Sequence, residues 1–216
     1  MSSILIWGIP IKTILITQTY DPKNKTREKE LKIALNNNIH NKDIDQIILI
    51  TDKTYKHPKI KTIKLDHRPQ YSDLFNILNQ ETKDTQQDHL LIVSNSDIYF
   101  HPKSIQQMKQ TITDNTALIL SRWDSTKNNG LKHHNRWDSQ DVWVVKNQFL
   151  PGDYNITLGL PGCDNRIAAE LQKAGYTLSN PSLDIITIHY HREQHNTYSE
   201  LETLVGEYAF IHPHCM

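Results

Sequence analysis

The sequence predicts a layered α/β domain built on a mostly parallel sheet. Short runs rich in Ile, Leu and Val recur along the chain, helix-forming segments separate them, and polar residues cluster where the runs stop. Strands buried on both faces of a sheet read as continuous apolar runs, and ligands of open α/β sheets gather at the strands' carboxyl ends. The clearest case is Leu90-Leu91-Ile92-Val93-Ser94-Asn95-Ser96-Asp97-Ile98-Tyr99-Phe100, where an apolar run ends in a polar quartet carrying Asp97.

The elements follow in order. Residues 13–17 form a short β-rich run, closed by the polar turn Tyr20-Asp21-Pro22-Lys23-Asn24. Residues 26–36 are helix formers with apolar positions at Leu31, Ile33, Ala34 and Leu35. A second strand spans 44–50, and residues 59–65 alternate apolar with polar as a half-exposed strand does. Leu74, Phe75 and Leu78 share one face of a compact helix over 71–78. The strand leading to Asp97 is followed by a helix over 102–112, a buried strand over 117–120 and a short strand over 141–145. A helix over 163–174 stops at Gly175, and residues 177–178 and 185–188 complete the sheet. Residues 124–130 are polar, end in Asn-Gly and read as a mobile loop. Arg122-Trp123-Asp124-Ser125 is echoed by Arg136-Trp137-Asp138-Ser139, too short a match to make a repeat architecture.

Composition narrows the function. At 216 residues the chain suits one domain over residues 1–216. Its 24 basic and 24 acidic residues cancel without a Lys/Arg-rich block, which argues against nucleic-acid binding. Cys163 and Cys215 make neither a disulfide framework nor zinc-type spacing, so a reducing, cytoplasmic setting is expected. Gly8-Ile9-Pro10 and Lys12 interrupt the apolar start, which reads as a first strand with a lead-in and not as a signal peptide. No stretch approaches the ~18 apolar residues of a membrane span.

Four segments could carry chemistry. Asp97, past a buried strand, is placed to hold a hard divalent ion against phosphate, although Asn-Ser-Asp is also ordinary turn chemistry. In Gly159-Leu160-Pro161-Gly162-Cys163-Asp164-Asn165-Arg166, a glycine-rich loop enters a helix; Asp164 in its first turn could serve a ligand or simply complement the helix dipole. Alternation in His189-Tyr190-His191 sets both imidazoles on one face, a workable pair for a metal or phosphate. Trp137, Asp138, Asp141 and Trp143 suit a sugar, with rings against pyranose faces and acids accepting hydroxyl protons, while core packing is the alternative for Trp143. His212-Pro213-His214-Cys215 reads as a frayed tail.

Together and in this order, these segments resemble a GT-A-fold glycosyltransferase, and most closely the small stand-alone glycosyltransferase-like domains of bacteria and large DNA viruses. The matching pieces are Asn95 to Phe100, Asp138 to Trp143, Pro161 to Arg166, and Pro181-Ser182-Leu183-Asp184-Ile185 running on to His191. The resemblance implies a three-layer fold with a mostly parallel mixed central sheet. It implies that Asp97, at the last acid of the family's Asp-x-Asp, binds Mn²⁺ or Mg²⁺, with His191 or His189 completing the metal shell. Asn95 replaces the first acid and removes one negative charge; with Ser96 it would meet the ribose or donor sugar. Thr17, Asp52, Tyr71 and Asp73 stand on the nucleotide side, and Trp137, Asp138 and Asp141 on the acceptor side. Asp164 stands where inverting members keep the base that deprotonates the acceptor hydroxyl.

The implied activity is transfer of a hexosyl or deoxyhexosyl group from a nucleotide-sugar to a glycan or other hydroxyl acceptor. Residues 126–135 would form a lid over the donor. A catalytically inactive sugar-nucleotide-binding module is the alternative that Asn95 favours. A nucleotidyltransferase would want a glycine-rich, basic phosphate loop after the first strand, where Thr17-Gln18-Thr19-Tyr20 has no glycine.

Overall fold

A computed structural model of the chain describes residues 10–126, 128, 130–190 and 203–216. The elements of the first half are β1 (Lys12–Gln18), α1 (Lys25–His40), β2 (Gln46–Ile50), β3 (Ile60–Ile63), α2 (Tyr71–Thr82), β4 (His89–Ser94), β5 (Ile98–Phe100) and α3 (Ser104–Thr111). Those of the second half are β6 (Thr116–Leu120), β7 (Trp123–Ser125), β8 (Leu131–His133), β9 (Val142–Lys146), α4 (Cys163–Lys173), β10 (Thr177–Ser179) and β11 (Thr187–His189).

The main sheet has the order β3-β2-β1-β4-β9-β6-β10. Pairing is parallel from β3 through β4 and between β6 and β10, while β9 runs antiparallel to both its neighbours. Both faces are covered, so alternate side chains of every central strand enter different layers. Ile14, Ile16, Ile48, Leu91, Val93, Trp143 and Val145 pack with Leu74, Phe75 and Leu78 of α2 and Ile167, Ala168 and Leu171 of α4. Leu15, Ile47, Leu49, Leu90, Ile92, Val142 and Val144 pack on the other side with Leu35 of α1 and Ile105 and Met108 of α3. β4 is buried at every position, which is why it reads as an unbroken apolar run. The result is a three-layer α/β fold with a mostly parallel mixed sheet.

Three expectations are corrected. The strand expected over 185–188 does not complete the main sheet: β11 belongs to a second sheet with the order β5-β11-β7-β8. The polar segment 124–130 is a loop over only part of its length: Asp124 and Ser125 belong to β7, which pairs antiparallel with β8, and Thr126 N–H donates to Gly130 O at 2.9 Å where the connection between them begins and ends. The hairpin is anchored where Trp123 Nε1 donates to Ser182 O at 2.7 Å. The C-terminal segment is docked, not frayed: His214 N–H donates to Asn180 O at 2.9 Å, and Met216 N–H to Asp184 Oδ2 at 2.7 Å.

Candidate active site

The antiparallel direction of β9 builds the site. Ser94, the last residue of β4, pairs with Val142, the first of β9, so Asp141 arrives beside Asn95 at the carboxyl end of β4. Asn95 N–H donates to Asp141 O and its Nδ2 to Asp141 Oδ1, both at 2.9 Å. Thr17, near the end of β1, donates from Oγ1 to Ser94 O at 3.1 Å and locks the neighbouring strand end.

The small sheet brings in the remaining charges through its register. His189 pairs with Ile98 in β5 and with Asp124 in β7, so the residue beside Ile98 meets the imidazole. His189 Nε2 lies 3.0 Å from Asp97 Oδ2, and its Nδ1 lies 2.9 Å from Asp124 Oδ1. Arg122 Nε donates to Asp124 Oδ1 at 3.0 Å, and one terminal nitrogen of Arg122 is 3.3 Å from either oxygen of Asp141. On the opposite side Arg27 Nη1 is 2.7 Å from Asp97 Oδ2 and 3.2 Å from Glu30 Oε2. Glu30, Arg27, Asp97, His189, Asp124, Arg122 and Asp141 thus form one chain of alternating charge across the strand ends.

Burial opposes the charge on Asp97, but His189 and Arg27 outweigh it and hold the carboxyl well below the usual carboxylate range. Burial likewise opposes the charge on His189, and Asp97 with Asp124 outweighs it, raising the imidazole to about 9. Asp124 is depressed against its own burial by His134, His189 and Arg122.

Asp164 behaves oppositely. Gly162 takes a φ of 82° and turns the chain into α4, which places Asp164 in the first turn. Its Oδ2 accepts from Gln140 N–H at 3.1 Å, and among the described residues no cationic side chain forms an ion pair with it. Burial, with the negative charge of Asp141 as a lesser contribution, pushes it up to about 6.

No protein-family model and no curated protein matches the sequence. Solved structures do match the fold. TarS of S. aureus superposes with a TM-score of 0.53 at 13% identity, covering 84% of this chain and 37% of that one. A structure of residues 1–349 of TarS in complex with UDP gives 0.50 at 13% identity, covering 84% and 61%. GalNAc-T7 with UDP, GalNAc and Mn²⁺ gives 0.50 at 9% identity, covering 85% and 44%. The fold is that of the GT-A nucleotide-sugar transferases. The chain spans less than two thirds of the length of each of these structures.

Against that GT-A frame, the expected site residues separate into groups. Asn95, Ser96, Asp97, Asp141 and His189 come together at the strand ends with Thr17 beneath them, and Asp164 stands beside Gln140, the neighbour of Asp141. His191 lies outside the described residues. Asp52 is exposed in the bend after β2. Tyr71 is fully buried, edge-on to Trp143 at 4.9 Å between ring centres, with its hydroxyl 3.8 Å from Cys163 Sγ. Asp73 caps its own helix, accepting from Gln70 N–H at 2.8 Å and lying 2.9 Å from His67 Nε2. Trp137 is 45% exposed, and Asp138 holds Arg136 through two contacts of 2.7 and 2.6 Å.

Sequence reasoning missed Arg27, Arg122 and Asp124. A signal for two of them existed in the Arg-Trp-Asp-Ser echo: each arginine grips the aspartate two residues on, Arg122 with Asp124 and Arg136 with Asp138. Arg27 was marked by its position, since a cation in the first turn of a helix opposes the helix dipole and needs a compensating partner.

Asp97 and His189 are donor types that divalent cations take, but Asp97 Oδ2 already meets His189 Nε2 and Arg27 Nη1, so a cation bound there would have to displace those contacts. Asp97 offers a carboxylate and His189 an imidazole whose second nitrogen rests on Asp124, the support that metal-bound histidines commonly have. Among the described residues no group of three or more His, Cys, Asp or Glu could hold a metal ion. The remaining positions would fall to phosphate oxygens and water, as hard cations allow. Arg27 shares the same Asp97 oxygen.

Proposed function

We propose that this protein is a glycosyltransferase that moves a hexosyl or deoxyhexosyl group from a nucleotide-sugar to an acceptor hydroxyl with inversion. The observation that carries the reading is Asp164: a carboxyl at the start of α4 that accepts from Gln140 N–H and has no ion pair among the described residues, raised by burial to about 6, beside a paired charge network at the strand ends of a GT-A sheet. A general base should titrate near its working pH, and this one is half-ionised just below neutrality.

The nucleotide lies over Thr17 and the ends of β1 and β2, near Asp52. Asn95 and Ser96 face the ribose and the donor sugar. The diphosphate sits by Asp97, where Mn²⁺ or Mg²⁺ held by Asp97 and His189 would neutralise its charge as a Lewis acid. Arg27 and Arg122 add positive potential on either side. Asp138 and Trp137 orient the acceptor, and Asp141 fixes Arg122 and Asn95. The acceptor oxygen bonds to the anomeric carbon as that carbon's bond to the diphosphate oxygen breaks. The hydroxyl proton passes to Asp164, and the nucleoside diphosphate leaves with the bonding electron pair.

UDP binding by the matched GT-A proteins makes UDP and UDP-sugars the first probes. Calorimetry and melting curves with and without Mn²⁺ test the reading on wild type and Asp97→Ala. A ligand at about a hundred times its Kd should stabilise by ~2.7 kcal/mol. Metal-dependent binding lost in Asp97→Ala is the expected result, and no binding of any nucleotide or nucleotide-sugar would overturn the reading. The pairing of Arg27 with Asp97 favours one second reading, a binding module without catalysis. Slow donor hydrolysis separates the two, because only the enzyme releases free sugar.

A further inference from the structure

The C-terminal segment brings to the site a surface that the catalytic assignments do not use. Leu204 N–H donates to Pro161 O at 3.1 Å, Ala209 N–H to Asn165 O at 3.0 Å, and Ile211 N–H to Trp137 O at 3.1 Å. The segment therefore runs from the loop before α4, past the residue next to Asp164, to the loop that carries Trp137. Between 208 and 212 its residues alternate: Tyr208, Phe210 and His212 are exposed, and Ala209 and Ile211 are half-buried. Two of the three outward side chains meet Trp137, and the third, Tyr208, meets Phe210. Phe210 crosses Trp137 edge-on at 4.8 Å between ring centres, His212 lies parallel to Trp137 at 5.5 Å, and Tyr208 is 6.2 Å from Phe210.

Four rings thus form a continuous row, with Trp137 and Phe210 each 45% exposed and Tyr208 37% exposed. Contiguous exposed apolar surface rimmed by polar groups marks a binding site. The rim is the Arg136–Asp138 pair, and the Arg136 charge is felt by Asp164. Gln140 ties row to base: its N–H donates to Asp164 Oδ2, while its Nε2 donates to Trp137 O at 2.9 Å. Asn165 adds a second tie, its Nδ2 being 3.3 Å from both Gln140 Oε1 and Ala209 O.

We propose that Trp137, Tyr208, Phe210 and His212 form a platform for a pyranose ring, making the acceptor a saccharide whose reacting hydroxyl is presented to Asp164. A pyranose has an apolar C–H face bordered by hydroxyls. It matches flat rings edged by a paired cation and carboxylate better than an alkyl chain does, since an alkyl chain leaves the polar rim unused. The inference rests on the transferase reading for its chemistry, but its binding test needs no donor.

The test titrates the full chain, without nucleotide, with the methyl glycosides of glucose, galactose, N-acetylglucosamine and N-acetylgalactosamine and with their disaccharides, following aromatic NMR resonances. One saccharide class should shift the Trp137 and Phe210 resonances saturably. Phe210→Leu should weaken that binding at least tenfold while the melting temperature stays within a few degrees, and Phe210→Tyr, which keeps a flat ring, should restore it. In transfer assays Phe210→Leu should raise the acceptor KM at least tenfold and change kcat less than twofold. Saccharide shifts confined to other residues, equal affinity in Phe210→Leu and Phe210→Tyr, or transfer only to a peptide or a long-chain alcohol would each overturn the proposal. Saccharide binding without any nucleotide binding would sink the transferase reading and leave the platform standing.

Discussion

Arg27 is the third residue of α1, whose start is set by Asn24: its Oδ1 accepts from Thr26 N–H at 2.7 Å. Lys25 and Arg27 therefore stand where the helix dipole favours acids, and Asp97 and Glu30 offset the conflict. The same pairing sets Arg27 in competition with any cation that approaches Asp97. Arg27→Ala should bind Mn²⁺ several-fold more tightly than wild type when no nucleotide is present, read by calorimetry. It should also lose about 1–3 kcal/mol of stability, because a buried carboxylate gives up one of its partners. Unchanged or weaker Mn²⁺ binding would remove Arg27 from the competition. Asp164 supports a second residue-scale prediction. Its folded pKa of about 6 lies above the ordinary 3.8, so ionising it costs stability, a cost absent below about pH 3.8 and fully present above about pH 6. Asp164→Asn should therefore raise the melting temperature at pH 7, lose that gain at low pH, and abolish transfer. Wild-type turnover should rise with pH through an apparent pKa near 6, and a flat profile between pH 5 and 7 would deny Asp164 the role of base.

At the scale of elements, the start of α4 joins catalysis to the tail. Gly162 has a φ of 82°, and a Cβ there would lie 3.0 Å from the Tyr208 hydroxyl. Gly162→Ala should cost about 1–3 kcal/mol through the left-handed backbone. It should also displace Tyr208, so protease accessibility of the C-terminal segment should rise along with the loss of stability. An intact segment in a destabilised protein would separate these two effects. The hairpin β7–β8 illustrates how an element can be misread: Asp124, Thr126 and Gly130 are turn-forming residues, yet cross-strand pairing with β8 and β11 makes Trp123–Ser125 a strand. Most of the helices were legible because their apolar positions recur at helical spacing; α1 ran four residues beyond its expected end, through Asn37, Asn38, Ile39 and His40, since Asn38 is buried and donates to Ile98 O at 2.9 Å.

Across the whole molecule, stability should grade outward from β4, which is flanked by β1 and β9 and covered on both faces. Amide hydrogen exchange at Leu91, Ile92 and Val144 should therefore proceed only through global unfolding. The edge strand β3, bonded on one side and half-exposed, should exchange orders of magnitude faster. Equal protection at both places would contradict the sheet order. The sequence alone determined the layered α/β class, the buried strands and the positions of Asp97 and Asp164 at element ends, because burial on two faces and helix-start chemistry leave local signatures. Tertiary structure alone decided the direction of β9, the placement of β11 in a second sheet, and the charge network. Asp97 and His189 are 92 residues apart, and Arg27 meets Asp97 from another layer. Those contacts depend on strand direction and register, which arise from pairing between distant segments and leave no trace in the spacing of neighbouring residues.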